Sequence, residues 1–508
     1  MIKRLLIITM IVGVSIFYLG PRPGWAGKSD NSLNFAVDTL PENADAYFNV
    51  DRIGIVLARC IWDSLLYLDP QTYEYKPLLA TSYKWVDNQT IDFLLREGIR
   101  FHNGEVFDSD DVVYTLNFVS NPQNGAKNQN NVNWIDRAEK LGKYAVRVHL
   151  KHVFPAALEY LSGSLPIYPN EYYAKVGPSG MGLKPVGTGP YRVEEIEPGK
   201  KIVMTRNAEY FAGSPKGIPS IAKIVGRAIP EVNTQVVELM SGKLDWLWRL
   251  DADQAENLRR VSKVKVLTGN TMRIGYLQFD AANKTNTNPP TTNVLVRKAI
   301  AHAIDRQTIV DRLVRGESQV IHSACFPTQF GCTQDVVKYE YNPKKAIELL
   351  RQAGFENGFK IDLYAYRDRP LVEAIIGYLK EVGIDAEIRF QKYAAVRDGV
   401  RNGKIAFDFL TWGSFSINDV SAITSVFFKG GQDDTYQDKQ VAAWLDIADS
   451  SIDQGIRKSN YKKALQRIAE QAYWVPLWSY CSNYAVAKDL DFRPSPDEIT
   501  RFFLCRWK

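Results

Sequence analysis

FKIDLYAYRDRPLVEAIIGYLKEVGIDAEIRF, residues 359–390, reads as a strand, a helix and a second strand in direct succession. Its two ends alternate apolar and polar residues, which is typical of strands, whereas the middle repeats apolar residues at helical spacing. Pro370 stands where that helix begins and Gly383 where it ends. A second short helix over about 394–402 and a third strand over 405–411 continue the series. Such crossovers join parallel neighbours, so the sequence predicts an α/β fold with a parallel sheet.

The residues that follow these strands are expected to lie together at one edge of the sheet. In open parallel sheets, ligands bind beyond the carboxyl ends of the strands. Tyr366 and Arg367 follow the first strand, and Trp412 and Gly413 follow the third. Trp412 lies just past the strand pattern, so it is either a wall of a ligand cleft or a core residue.

The amino terminus has the pattern of a secretory signal. Lys3 and Arg4 precede an apolar run over 5–19, and small residues precede a predicted cleavage site after Ala26. The run is shorter than the roughly 20 residues that span a bilayer, and no later stretch is apolar for as long. No cysteine near the cleavage site offers a lipid attachment point. The sequence therefore predicts an exported, periplasmic protein whose residues 1–26 are removed.

Length, charge and cysteine content narrow the class of protein. A chain of 508 residues exceeds the roughly 300 at which a single core stops growing, so two or more lobes are expected. The net charge of +6 is spread along the chain without a basic block, which argues against a nucleic-acid partner. Cys325 and Cys332 flank a short loop and either form a disulfide or remain two buried thiols. His322 alone offers too few ligands there for zinc.

An exported chain of this size could be a hydrolase, but its sequence lacks the usual catalytic signatures. The five histidines form no metalloprotease motif, and no Gly-x-Ser-x-Gly elbow is present. The glycine-rich VGTGPY, residues 186–191, leads into a strand pattern rather than a helix, so it does not form a phosphate cradle. The sequence predicts no catalytic residue, no cofactor and no metal site.

Several motifs, taken together and in order, resemble the solute-binding family 5 of ABC importers, the dipeptide-, oligopeptide- and nickel-binding periplasmic proteins. They cover nearly the whole chain after the signal segment. They are PLLATSYKWVDNQTIDFLLREGIRFHNGEVFDSDDVVYTL (77–116), PVGTGPYRV (185–193), VRKAIAHAID (296–305), NPKKAIELLRQAGF (342–355) and FDFLTWGSF (407–415).

The resemblance implies a class II periplasmic binding protein with two lobes that close around a ligand by hinge motion. The larger lobe would combine 27–68, 186–275 and 478–508, with 69–185 as an extra subdomain, and the second lobe would be 276–477. The resemblance also implies a monomer that delivers its ligand to an ABC permease in the inner membrane.

Only part of the family's ligand-anchoring motif is present in this sequence. In its peptide binders, a Trp-x-x-Asp motif supplies an aromatic wall and a carboxylate that pairs with the peptide's amino terminus. Trp412 and Phe415 occupy those two positions here. A buried ammonium without a counter-charge is costly, so Asp419 would be the substitute if the loop runs differently.

Two other elements of the ligand site follow from the resemblance. Arg367 or Arg369 falls near the place where dipeptide binders hold the substrate carboxylate, a role that suits a guanidinium fork. The alternative for either residue is a solvated surface arginine. Tyr47 lies in a segment of the amino-terminal lobe that commonly contributes to the pocket.

The sequence thus predicts a periplasmic solute-binding component of an ABC importer that is not an enzyme. Peptides are the default cargo, whereas Phe415 favours a solute without a free amino terminus, such as an opine, a modified peptide, an oligosaccharide or a metal chelate. An exported hydrolase on the same scaffold is the rival hypothesis. A chemoreceptor partner or a chaperone-like protein is a third.

Overall fold

The main feature of the fold is a ten-stranded mixed sheet, accompanied by three smaller sheets. The computed structural model describes residues 26–127 and 129–508, so the predicted signal segment lies outside the described residues except for Ala26. The strands are β1 (Ser32–Val37), β2 (Leu66–Leu68), β3 (Tyr75–Pro77), β4 (Ala80–Asp87), β5 (Thr90–Leu95), β6 (Ile135–Gly142), β7 (Ala145–Leu150), β8 (Tyr191–Glu197), β9 (Lys201–Arg206), β10 (Lys223–Ala228), β11 (Trp246–Leu250), β12 (Val264–Phe279), β13 (Phe359–Ala365), β14 (Ile384–Phe390), β15 (Phe407–Trp412), β16 (Trp474–Ala487), β17 (Leu490–Asp491) and β18 (Arg506–Trp507).

Fifteen α-helices accompany the sheets in the part of the chain that the structure describes. They are α1 (Ala26–Ser29), α2 (Arg52–Ile61), α3 (Ser109–Ser120), α4 (Ala157–Glu159), α5 (Asn170–Leu183), α6 (Val232–Met240), α7 (Ala252–Arg259), α8 (Val294–Ala303), α9 (Arg306–Ile309), α10 (Pro343–Gln352), α11 (Arg369–Glu381), α12 (Tyr393–Arg401), α13 (Ser421–Phe427), α14 (Lys439–Asp449) and α15 (Gln454–Glu470). Within the described ranges, no helix has the length and apolarity that a membrane span requires.

The segment from β13 to β15 confirms the predicted parallel sheet. β13 pairs in parallel with β14 on one side and with β15 on the other, and α11 and α12 form the crossovers. Leu371, Ile375 and Leu379 of α11 are buried, because their helical spacing places them on the face that packs against the sheet. The residues after β13 and β15 therefore reach the same edge.

Two long antiparallel strands, β12 and β16, join the two halves of the ten-stranded sheet. Their pairing runs from Val264 opposite Ala487 to Gln278 opposite Trp474, with register shifts between Asn270 and Tyr276. The parallel strands β13 to β15 lie on one side of this pair, and β1 and β8 to β11 lie on the other. The result is a two-lobed α/β fold, and the predicted boundaries after residues 275 and 477 fall inside the two joining strands.

A separate four-stranded sheet, in the order β4-β5-β7-β6, stands beside α3 within the predicted extra subdomain. Asp108 caps α3, since its side chain accepts from the Asp110 N–H at 2.8 Å while Asp111 accepts from the Asp108 N–H. The sheet and helix share one continuous core with the first lobe. This subdomain supplies one wall of the cleft.

Cys325 and Cys332 form a disulfide that closes a loop against the second lobe. Within that loop, the Gln329 side chain donates to the Ile417 carbonyl at 3.0 Å, and the Phe330 N–H donates to the Asn418 carbonyl at 3.1 Å. The disulfide loop therefore supports the chain that follows β15.

We expect the double variant Cys325→Ser, Cys332→Ser to lose about 2 kcal/mol of unfolding free energy, because the loop regains freedom in the unfolded chain. Urea unfolding under oxidising conditions measures this loss. Cys481→Ser is the matched control, since Cys481 is a free thiol. Equal unfolding midpoints for the double variant and the wild type would contradict the expectation.

Candidate functional site

Two cavities lie near the turn that follows β15, one lined by Phe415 of the turn and the other by Arg273, which approaches Gly413. The Phe415 cavity has a volume of about 860 Å³ and lies between the extra subdomain and the second lobe. Its walls include His152, Phe154, Tyr160, Arg397, Arg401, Phe415, Lys429, Asp433 and Arg457. The Arg273 cavity, of about 690 Å³, adjoins the joining strands, and its walls include Arg249, Arg273, Arg315, Arg367, Asp368, Tyr480 and Glu498.

The turn itself has a strained backbone. Ser414, Phe415 and Ser416 have φ angles of 50°, 51° and 65°, in the left-handed region that non-glycine residues rarely adopt. Each such residue costs roughly 1 kcal/mol or more and persists only when its surroundings hold it in place. Arg52 donates to the Ser416 hydroxyl, and that hydroxyl donates to the Asp497 carbonyl at 2.6 Å. Contacts between the two lobes thus hold the turn in its conformation.

Glu498 is the centre of an ion network between the lobes. Its Oε2 atom lies 3.1 Å from Arg273 Nη2 and 3.4 Å from Arg52 Nη2, and Arg273 Nη1 also donates to Thr411 Oγ1 at 3.3 Å. Burial alone would raise the pKa of Glu498, but the two guanidiniums hold it below its ordinary value. Two cations share one carboxylate, which leaves a positive surplus in a largely buried place.

Arg249 adds to that surplus. Its guanidinium lies 4.5 Å from the centre of the Trp248 ring and lines the Arg273 cavity, and its own φ is 55°. Burial lowers the pKa of Arg249, partly opposed by Glu498. Among the described residues it forms no ion pair. The Arg273 cavity therefore offers guanidinium donors to an anionic group.

The structure separates the two arginines that the sequence singled out. Arg367 lines the Arg273 cavity, where its Nε donates to Asp368 Oδ2 at 2.9 Å and its guanidinium lies 5.5 Å from the centre of the Tyr480 ring. Arg369 lies on the exposed side of α11, 3.5 Å from Glu373, and covers the Phe390 ring. Only Arg367 is in position to meet a ligand in that cavity.

Trp412 and Phe415 form an aromatic pair of which Phe415 is the outer member. Trp412 is 6 % exposed, and its Nε1 donates to the Ala422 carbonyl at 2.8 Å. Its ring meets Phe415 edge-on at 4.7 Å between centres, and Phe415 is 39 % exposed on the cavity wall. The sequence left Trp412 as either a cleft wall or a core residue, and in the structure it is buried behind Phe415, which lines the cavity.

The polar side-chain atoms of Asp419 and Tyr47 both have partners within their own lobes. Asp419 Oδ2 pairs with Arg457 at 2.8 Å, and Oδ1 accepts from the Ser421 hydroxyl at 2.7 Å. An ammonium anchor at Asp419 would therefore have to displace Arg457. The Tyr47 hydroxyl donates to the Pro166 carbonyl at 2.6 Å in the core of the first lobe, so it does not reach either cavity.

Tyr366 and Gly413 lie beside the turn. The Tyr366 and Thr411 hydroxyls share a hydrogen bond of 2.6 Å, which orients the Thr411 oxygen that also meets Arg273. A Cβ atom added at Gly413 would lie 2.9 Å from Arg273 Nη2, so the glycine permits the guanidinium to approach the turn.

Sequence reasoning missed Arg52, Arg249, Arg273 and Glu498. They come from four separate segments, and none belongs to a local motif that marks a ligand site. It also missed Glu159 of the extra subdomain, whose carboxylate faces the backbone N–H of Asn418 and lies near Asp419 of the second lobe. Among the described residues, no group of three or more His, Cys, Asp or Glu could hold a metal ion.

A family comparison agrees with this architecture. Residues 74–434 match the bacterial extracellular solute-binding proteins, family 5 Middle. The chain belongs to the bacterial extracellular solute-binding proteins of family 5.

Curated relatives and solved structures extend the comparison. The glutathione-binding protein GsiB of Shigella dysenteriae serotype 1 is 26 % identical over 453 residues, which covers 85 % of this chain and 86 % of the relative. DppA from Helicobacter pylori, solved with the peptide STSA, superposes with a TM-score of 0.78 at 24 % identity, over 94 % of this chain and 99 % of that chain. AgaA from A. tumefaciens R10, solved with agropinic acid, gives a TM-score of 0.75 at 23 % identity over the same shares.

We expect Gly413→Ala to weaken solute binding about tenfold while changing stability little, because only the flexible end of Arg273 must move. Isothermal titration with the solute that co-purifies with the wild type measures the affinity. Gly377→Ala in α11 is the matched control, since nothing lies within 4 Å of the added Cβ atom. Equal affinities for Gly413→Ala and the wild type would show that the position of Arg273 does not matter for binding.

A pH dependence follows from Glu159. Burial, and next the nearby Asp419, raise the pKa of Glu159 from 4.5 to about 7 in the folded protein. The folded state therefore holds the proton more tightly, and the stability linked to that proton is lost as pH rises through about 7. We expect the unfolding free energy of Glu159→Gln, taken relative to that of the wild type, to be larger at about pH 8 than at about pH 5. Urea unfolding at both pH values tests this, and a constant difference would contradict it.

Proposed function

We propose that this chain is the periplasmic solute-binding component of an ABC importer and that its cargo is a peptide-like solute with a carboxylate group. The observation that supports the cargo class is the surplus of guanidiniums around Glu498. Arg52 and Arg273 share that carboxylate, and Arg249 lies in the same cavity without an ion pair among the described residues. Arg249 is exposed on the cavity wall, and a guanidinium without a carboxylate partner there favours a ligand that supplies a negative charge.

Capture would proceed by closure of the two lobes. Arg52 of α2 reaches Ser416 of the second lobe, and Glu159 of the extra subdomain faces the Asn418 N–H. These contacts join elements that only the joining strands connect covalently, so they would break when the lobes open. A ligand that contacts both lobes shifts the equilibrium toward the closed form, which the permease would recognise.

The relatives support a peptide-like cargo, but they do not decide whether the solute has a free amino terminus. GsiB is named for glutathione, and the solved neighbours hold the peptide STSA or agropinic acid. Phe415 stands where family peptide binders have the carboxylate anchor, which favours a solute without a free amino terminus. An opine or a modified peptide is therefore the second candidate.

Delivery to a permease, release of residues 1–26 and the absence of turnover belong to the same proposal. The rival hydrolase would release a cleaved product from its cleft. Mass spectrometry of small molecules released on denaturing gently purified protein separates the two hypotheses. We expect an intact solute that bears a carboxylate. A solute without any anionic group would overturn the proposed cargo class.

Phe415→Asp restores the family's carboxylate at the anchor position, and Asp tolerates the left-handed backbone there better than Phe does. We expect this variant to bind the free-amino dipeptide Ala-Phe about tenfold more tightly than the wild type does. Isothermal titration measures the gain. Phe390→Asp is the matched control, because Phe390 is 40 % exposed and lies at the end of β14. If Phe415→Asp binds no better than the control, residue 415 does not occupy the anchor position.

A further inference from the structure

The helix α12 directs two arginines into the Phe415 cavity. Arg397 and Arg401 are four residues apart, so they lie on the same face of the helix. Both line the cavity, on the wall that also carries Phe415. Neither residue belongs to the network around Glu498, which lines the other cavity.

Both arginines donate two hydrogen bonds to the carboxylate of Asp433. Asp433 Oδ1 accepts from Arg397 Nε at 2.9 Å and from Arg401 Nε at 3.0 Å. Asp433 Oδ2 accepts from the Nη2 atoms of both residues, each at 2.9 Å. Each guanidinium thus donates to Asp433 through Nε and Nη2, which leaves Nη1 available to donate to another acceptor. Arg397 Nη1 makes a longer bond of 3.3 Å to the Tyr393 hydroxyl, and Arg401 Nη1 has no partner among the described residues.

The charge on this part of the wall is therefore positive. Asp433 balances one of the two guanidiniums, and its side chain is only 9 % exposed beneath them. Elsewhere on the wall Arg457 pairs with Asp419, and Lys429 faces two carboxylates, those of Asp446 and Asp449. The positive charge therefore lies at the α12 end of the cavity, whereas the Lys429 end has one more carboxylate than cations.

The pair is also held in a fixed geometry. The Arg397 guanidinium lies 5.0 Å from the centre of the Trp412 ring, and the bidentate bonds to Asp433 fix the plane of each fork. Trp412 thereby supports Arg397 as well as Phe415. A guanidinium ordered before binding loses less entropy when a ligand arrives.

We infer that Arg397 and Arg401 form a subsite in the Phe415 cavity that binds a carboxylate group of the solute through their Nη1 donors. The apolar face of Phe415 would contact the carbon chain that carries this carboxylate. The inference rests on the proposed function and deepens it, because it assigns a second anion-binding position outside the Arg273 cavity. Asp433 stays in place and orients the arginines.

The test uses the full mature protein and two probe sets, free-acid dipeptides and the same dipeptides as C-terminal amides, with retention read by native mass spectrometry. We expect the wild type to retain the free acids in preference to the amides. Arg401→Gln should reduce retention of the free acids about tenfold. Arg401→Lys should reduce their retention less, because lysine keeps the positive charge although it lacks the planar guanidinium. Arg389→Gln is the matched control, since Arg389 pairs with Asp362 and Glu387 on an edge strand outside both cavities.

Thermal unfolding of each variant checks that the fold is kept, and Arg397 still holds Asp433 in Arg401→Gln. Equal retention of the free acids by the wild type and a folded Arg401→Gln would overturn the subsite alone. Equal retention of acids and amides by the wild type would also overturn it. A wild type that retains neither set would overturn the peptide-like cargo class, and the subsite with it.

Discussion

The backbone pairing of β12 with β16 is the constraint on which the rest of this structure depends. These strands carry the chain from the first lobe to the second and back, so every contact across the cleft is set by their register. Their register shifts between Asn270 and Tyr276, where Arg273 enters the ion network. A bulge re-aims a side chain and locally weakens a ladder, which suits a strand that must direct a guanidinium and bend.

The left-handed turn at 414–416 is stable because three separate elements hold it. Arg52 and Asp497 bind Ser416 from the first lobe, the disulfide loop binds the chain just after the turn, and Trp412 is fixed before it by its bond to Ala422. Strain of this kind is found where a site must present a particular geometry. Here it exposes the Phe415 ring to one cavity while Gly413 lets Arg273 approach from the other.

Local periodicity predicted the strands and helices from 359 to 412, because alternation and helical spacing are properties of neighbouring residues. The lobes' charged interface could not be predicted in this way. Arg52, Arg273 and Glu498 lie in three distant segments that meet only after the sheet has formed. Trp412 shows the same limit, since its sequence position is equally compatible with a wall of the cleft and with a core residue. Its burial behind Phe415 depends on tertiary packing that the local pattern does not contain.

The replacement at position 415 changes the charge balance of the cleft as well as one contact. A carboxylate at position 415 would share the Phe415 cavity with Arg397, so the ammonium of a ligand would compete for it with the excess guanidinium on α12. Phe415 leaves that surplus available and adds apolar surface beside it. In the proposed site, the missing ammonium anchor and the position for an anion would both follow from the phenylalanine at 415. At the proposed subsite, a cationic group near α12 would meet two guanidiniums of which Asp433 balances only one, so the cleft would favour an anionic group there.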